Sequence, residues 1–314
     1  MVVGVPASTQ VRRRAGKKRG WGASILAYLF IAPSLLGVTV FVAFPVVFAL
    51  YMSFQDWNGI QPPHFVGWSN FQALLVDPLF WHSLEVTAAY TALTVPTLIV
   101  VSLAVALLLR QRVRGMAFFR TAMFIPVVTS ALAVGVIWKW ILDYDNGLIN
   151  DVLTAVNLPQ VPWLSDPVWA LIGLAIIGVW KGFGLTAVIL LAALQGVPET
   201  LLEAASIDGA GAWRRFLSIM LPMIAPGMLF VAVITLINSF QVFDQVYYIT
   251  NGQGGPDYGT LVLNLLVFQR AFQQNHFGSA SALAYILFAI IFVVTVAQLR
   301  LGRRASNAVA EIEV

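Results

Sequence analysis

The chain has 314 residues, 59% of them hydrophobic and only 10% charged, with a formal net charge of +4 and a mean hydropathy of +0.84. A soluble domain carries about 25% charged residues, and so few charges cannot cover this much apolar surface in water, so the composition fits lipid as solvent. Absence of cysteine excludes disulfide frameworks, thiolate metal sites and cysteine nucleophiles, and His64, His82 and His276 are scattered without metal-ligand spacing.

Residues 1–22 form a basic arm containing Arg12, Arg13, Arg14, Lys17, Lys18 and Arg19. Next to an apolar span such an arm reads as a cytoplasmic anchor at the lipid surface rather than a nucleic-acid site. Apolar runs then cover residues 24–51, 84–109, 118–142, 168–194, 224–243 and 279–299. Each is long enough to cross about 30 Å of hydrocarbon at 1.5 Å per residue. The first run exceeds the roughly 7–15-residue core of a signal peptide, and its Pro33 and Pro45 are tolerated in a membrane helix. The expectation is an all-α membrane protein of six transmembrane helices, with one membrane domain over 23–304, no soluble domain, and a cytoplasmic tail over 305–314.

Lysine and arginine set the orientation. The arm, the loop after the second run (Arg110, Arg112, Arg114, Arg120), the segment before the fifth (Arg214, Arg215) and the tail (Arg300, Arg303, Arg304) hold fifteen of the eighteen basic residues. Six alternating helices put all of these on one side, with both termini cytoplasmic. The opposite loops carry only Arg270, together with acids such as Asp77, Asp143, Asp166 and Asp257. Trp138, Trp140, Tyr144, Trp163, Trp169, Tyr247 and Tyr248 gather near those outer boundaries in the manner of an interfacial aromatic belt. Lys139 reads as a snorkelling residue there, and Glu85 as a carboxylate at the positive end of the second helix.

Residues 196–222, on the cytoplasmic side, are unusual. Pro198 and Glu199 suit a helix start, Leu201, Leu202, Ala204, Ala205 and Ile207 give a short apolar face, and Gly209 ends the helix. An amphipathic helix facing the cytoplasm needs lipid or a partner's groove for that face. The small alanines beside Glu203 suit a protein groove. Asp208, at the negative helix end, is unfavourable unless it meets a partner.

Glu203-Ala204-Ala205, Asp208-Gly209-Ala210, Phe216, Ile219, Leu221-Pro222 and Pro226 resemble, in register, the "EAA" motif of the permease subunits of binding-protein-dependent ABC importers. Further likeness runs along nearly the whole chain, through Ala32-Pro33, Pro45, Asn70-Phe71, Phe119-Arg120, Pro126, Asn146–Asn150, Trp180-Lys181, Gln195–Glu199, Phe243-Asp244 and Gly255-Pro256. It is similar to the carbohydrate-uptake branch, of maltose and glycerol-3-phosphate type. Residues 51–57 and 254–257 lean towards the latter. The resemblance implies a coupling helix, seated in a cleft of an ATPase subunit and formed with Glu203, Ala204, Ala205, Asp208, Gly209, Ala210, Arg214, Phe216, Leu221 and Pro222. It also implies a second related permease in a heterodimer, two ATPase subunits that bind ATP and Mg, and an extracytoplasmic solute-binding protein, in the cytoplasmic membrane of a bacterium or archaeon.

The chain has no P-loop of its own: Gly16-Lys17 is followed by Lys18, and Val11 stands where the first glycine belongs. No cofactor and no catalytic residue is expected in it. Polar residues inside membrane runs are functional candidates. Asn238, Gln241 and Asp244 or Gln245 recur at three- to four-residue spacing, which puts them on one face of the fifth helix. That face can bond sugar hydroxyls or glue helices together. Lys181, mid-way along the fourth helix, either attracts an anionic solute or pairs within the protein, and Gly178 and Gly182 beside it suit close helix packing. A secondary transporter or channel without an ATPase would need no such coupling loop and would often show paired intramembrane carboxylates or an inverted repeat. An intramembrane enzyme would need a nucleophile with its base, or a metal cluster. Neither pattern is present.

Overall fold

The computed structural model describes residues 21–111 and 114–310, with side chains described over 28–111 and 114–302. Nearly all of the basic arm, Arg112, and the end of the tail therefore lie outside the described residues. The chain divides into two compact units, residues 1–49 and 50–314.

The described part of the first unit is helical. Helix α1 (Trp21–Val38) passes through a π-helical turn (Thr39–Ala43) into α2 (Phe44–Ser53). The ladder widens just before Pro45, which has no N–H and whose ring collides with a regular turn.

The second unit takes in the end of α2, then a two-strand hairpin, β1 (Gln55–Asp56) and β2 (His64–Phe65), α3 (Ser69–Val76) and the 32-residue α4 (Pro78–Leu109). Helix α4 starts six residues before the apolar run that announces it. Asp77 caps it, accepting from Leu79 N–H at 2.9 Å, so Glu85 lies two turns inside the helix and not at its start. Then come α5 (Met116–Ala122), α6 (Ile125–Val128), α7 (Ala131–Ile141) and α8 (Leu148–Ala155). The expected single helix over 118–142 is thus broken: the pieces Met116–Val128 and Ala131–Ile141 meet at 95°. The chemistry of the break is local. Thr129 Oγ1 donates to the Ile125 carbonyl at 2.6 Å, and the Ser130 hydroxyl caps α7 by accepting from Ala133 N–H at 3.2 Å.

Helix α9 (Pro167–Gln195) runs for 29 residues and is capped by Asp166 through the N–H groups of Val168 and Trp169. After it come α10 (Glu199–Ile207), α11 (Ala212–Arg215), a π-helical turn (Phe216–Met220), α12 (Leu221–Met223), α13 (Ala225–Phe240), α14 (Asp244–Thr250), α15 (Leu263–Phe268), a third π-helical turn (Gln269–Gln273) and α16 (Phe277–Ala310). The turn at Phe216–Met220 again precedes a proline, Pro222. Among the described residues five helical runs are long and apolar enough to cross a membrane, and the bent pair counted as one span makes six. The protein is a multi-pass membrane protein.

Helices α4 and α9 form the central pair. Between lipid-facing helices there is little hydrophobic drive, so close approach depends on small residues. Gly178 and Gly182 supply them: a Cβ at Gly178 would strike the Tyr90 hydroxyl, and one at Gly182 would press on Leu98. One apolar cluster gathers Phe80, Leu174, Ile177 and Leu283. A second, towards α10, gathers Ala106, Leu109, Leu190, Leu194, Met220 and Ile224.

Two outer-loop expectations change. The segment 244–278, expected as a loop, holds α14 and α15, and Leu261, Val262, Leu263, Leu265 and Leu266 are 0% exposed. Thr87 Oγ1 on α4 accepts from Leu263 N–H at 2.9 Å and pins this insertion. Trp163 is a core residue rather than part of a belt: its indole N–H donates to Asn150 Oδ1 at 3.3 Å. The fully buried Asn150 amide also bonds the carbonyls of Tyr144 and Val161 and the N–H of Val161, each at 3.0 Å.

Candidate substrate cavity and coupling helix

The five polar residues singled out within the spans come together. Lys181 from α9 and Asn238, Gln241, Asp244 and Gln245 from the α13–α14 region line one cavity of about 420 Å3, inside the roughly 300–1,000 Å3 range of small-molecule sites. They do so by a different route from the one expected. The helix stops at Phe240, and Gln241 caps it at φ −96°, ψ 10°. Phe243 at φ −145°, ψ −62° then redirects the chain before α14 begins at Asp244. The four residues therefore do not share one continuous helical face. The break turns the start of α14 into the cavity, and Asn264 Nδ2 holds it by donating to the freed Gln241 carbonyl at 3.0 Å.

Among the described residues neither Lys181 nor Asp244 has an ion-pair partner, so the internal-pairing alternative for Lys181 finds no carboxylate. The buried Oε1 of Gln245 has no hydrogen-bond partner among the described residues, a cost of about 1–3 kcal/mol for a buried acceptor unless something else supplies a donor. Sequence reasoning missed the hydroxyl residues of the same wall, Tyr90, Thr186, Thr235 and Ser239. The four-residue step from Thr235 to Ser239, running into Asn238, was the available signal. The glycine pair behaves as packing residues and also borders the cavity.

At the other end of α9 and α13, the predicted coupling residues form a protruding unit. Helix α10 carries Glu203, Ala204 and Ala205 and has no buried residue; Ile207 is 88% exposed. Asp208 is its C-cap, and Gly209 follows at φ +81°. Gly209 N–H bonds the Ser206 carbonyl at 3.1 Å and Ala210 N–H the Ala205 carbonyl at 2.8 Å, a Schellman closure that needs a left-handed residue at Gly209. Leu202, Phe216 and Leu221 pack on the inner apolar cluster, and Arg215 donates to the Leu202 carbonyl at 3.4 Å. Arg214 lies on α11 and Pro222 on α12. The helix is thus anchored on one side by its base, and its outward apolar residues have no cover among the described residues. Among the described residues no group of three or more histidine, aspartate or glutamate side chains could hold a metal ion.

Residues 89–307, which include both the cavity and α10, match the model of the family described as "Binding-protein-dependent transport system inner membrane component". The chain belongs to this family. It is 35% identical over 290 residues to AmyD of Thermoanaerobacterium thermosulfurigenes, named a probable starch degradation products transport system permease protein, covering 92% of this chain and 98% of that one. It is 33% identical over 280 residues to LacF of Rhizobium radiobacter, a lactose transport system permease protein, covering 88% and 93%. Among solved structures, a bacterial alginate ABC transporter in complex with an alginate pentasaccharide-bound periplasmic protein contains a chain that superposes with a TM-score of 0.79, 92% of this chain and 99% of that one being covered. At 21% identity, that likeness establishes the fold of this inner membrane component.

Proposed function

We propose that this inner membrane component is the permease subunit through which an ABC importer passes a neutral saccharide from an extracytoplasmic binding protein into the cytoplasm. The observation that carries the reading is the cavity: one ammonium, one carboxylate, three side-chain amides and several hydroxyls around about 420 Å3. Unpaired Lys181 and Asp244 balance in charge, so the site offers both donors and acceptors without a net field. That suits a polyhydroxy solute better than a dianionic phosphate ester, and the names of the starch-product and lactose permeases support the same solute class.

In this reading α10 is the coupling helix. Its apolar and small residues, with Glu203 and Asp208, sit in a cleft of an ATPase subunit that binds ATP and Mg, and the ATPase hydrolyses the nucleotide. A second related permease completes a heterodimer around the path, and a second ATPase serves it. Closure of the ATPases pushes α10, whose base packs through Leu202, Phe216 and Leu221 on the ends of α9 and α13. Those two helices carry Lys181 and Asn238, so the push reaches the cavity walls. The charge asymmetry of the loops puts α10 in the cytoplasm and α14 on the far side.

The test is ATPase activity of the purified assembly, co-expressed from neighbouring genes, with its binding protein and a panel of lactose, maltose, maltotriose and glycerol-3-phosphate. Stimulation by a loaded neutral saccharide supports the reading. Stimulation by glycerol-3-phosphate alone contradicts the charge-balance argument.

A further inference from the structure

Helix α14 serves two sites. Its first turn gives Asp244 and Gln245 to the cavity above. Its later residues Tyr247 and Tyr248, with Asn251 that caps its end, line a separate recess of about 550 Å3 whose other wall, from α7 and the turn after it, includes Lys139, Trp140 and Asp143.

The recess is built rather than incidental. Helices α7 and α14 touch because position 135 is glycine: a Cβ there would come within 2.5 Å of the Tyr248 Cβ. Tyr247 is held in a ring cluster, with Phe243 at 5.4 Å, Phe268 at 5.2 Å and Tyr248 edge-on at 5.4 Å. Asp143 is fixed by accepting from the N–H groups of Asp145 and Asn146 at 3.2 and 3.0 Å. Lys139 Nζ donates to Asn251 Oδ1 at 3.4 Å across the recess, so it is not simply reaching for lipid phosphate. Trp140, by contrast, is 58% exposed. A belt facing lipid would not need a carboxylate and an amide in the same hollow, and Asp143 would repel the headgroup phosphates.

Rigid aromatic faces bordered by an ammonium, a carboxylate and an amide match a pyranose ring. The C–H face of the sugar packs on the aromatic ring and its hydroxyl rim meets the polar groups, with little side-chain freedom lost on binding. Along α14 and its cap the residues lining the two sites are separated by about 3–10 Å at 1.5 Å per residue, within the length of a di- or trisaccharide. We propose that the recess between α7 and α14 is a waiting subsite for one saccharide ring, from which α14 hands an oligosaccharide to the Lys181 cavity. This rests on the saccharide reading above and narrows it to solutes of at least two rings.

The test uses the complete importer in proteoliposomes with its binding protein, and lactose, maltose and maltotriose as probes. Trp140→Ala and Tyr248→Ala are expected to leave stimulation of the ATPase by loaded binding protein unchanged while saccharide delivered per ATP falls about tenfold. The fall is expected to be largest for maltotriose, with Trp140→Phe and Tyr248→Phe restoring delivery. Unchanged delivery per ATP overturns the proposal. So does a parallel loss of ATPase stimulation, which marks a protein-docking surface, and so does rescue by leucine as complete as by phenylalanine, which marks simple packing. Failure of the underlying reading shows separately, as a wild-type assembly that delivers none of the three saccharides.

Discussion

Arg270 and Asp77, 193 residues apart in the chain, form an ion pair between the segment after α15 and the start of α4. The pair is extended: Arg270 Nη1 donates to Ser279 Oγ at 2.7 Å on α16, and Asp77 Oδ1 caps α4. One carboxylate thus holds a helix start and a long-range cation, and three elements meet at it. Asp77→Ala removes both roles and Asp77→Asn keeps the cap. We expect Asp77→Ala to lower stability by about 2–4 kcal/mol, and Arg270→Ala and Asp77→Asn each by about 1–2 kcal/mol. Thermal unfolding in detergent gives the order, and equal effects of the two Asp77 variants would contradict the double role.

Gly178 faces the Tyr90 hydroxyl where α9 crosses α4. Gly178→Ala is expected to destabilise by about 1–3 kcal/mol through overpacking, and Tyr90→Phe in the same chain to restore most of the loss, since it removes the atom in the way. Melting temperatures of the two variants decide this. Failure of the second substitution to rescue would place the collision elsewhere.

Lys181 and Asp244 line one cavity without an ion-pair partner among the described residues. For a neutral saccharide, Lys181→Met removes one charge-assisted hydrogen bond, about 1.5–3 kcal/mol, so half-saturation of uptake should rise at least about tenfold. Asp244→Asn, which keeps an acceptor, should cost less. Uptake titrations in proteoliposomes measure both, and wild-type affinity in Lys181→Met would return that residue to packing.

Gly209 closes α10 at φ +81°, a conformation proline cannot adopt. Gly209→Pro, or Glu203→Lys on the exposed face of α10, is expected to abolish transport while the chain still reaches the membrane. Membrane fractionation with uptake checks this, and wild-type uptake in either variant would remove α10 from the coupling role.

Most spans, the boundaries of α10 and the left-handed Gly209 were legible because each rests on local chemistry: apolar length, a helix-starting Pro198-Glu199 and a glycine stop. The five cavity residues were legible as polar groups in costly places. The break at Thr129–Ser130 was not, because an apolar window runs across two hydroxyl residues without registering their bonds to Ile125 and Ala133. The segment Leu261–Leu266 was missed for another reason. Five apolar residues around Asn264 are too few for a span, and their burial depends on Thr87, which lies far away in the chain. Trp163 looked like a belt residue until Asn150 supplied its partner, again a tertiary fact.

The central claim is that α10 meets an ATPase, and the absence of cysteine from the chain makes the test direct. A single cysteine in place of Ile207, 88% exposed on α10, or of Tyr258, 53% exposed beyond α14, is carried into the co-expressed assembly and treated with a short thiol-to-amine cross-linker. The account predicts an adduct between Ile207→Cys and the ATPase subunit whose yield changes with ATP, and none from Tyr258→Cys. An ATPase adduct from Tyr258→Cys and none from Ile207→Cys would contradict both the coupling role of α10 and the assigned orientation.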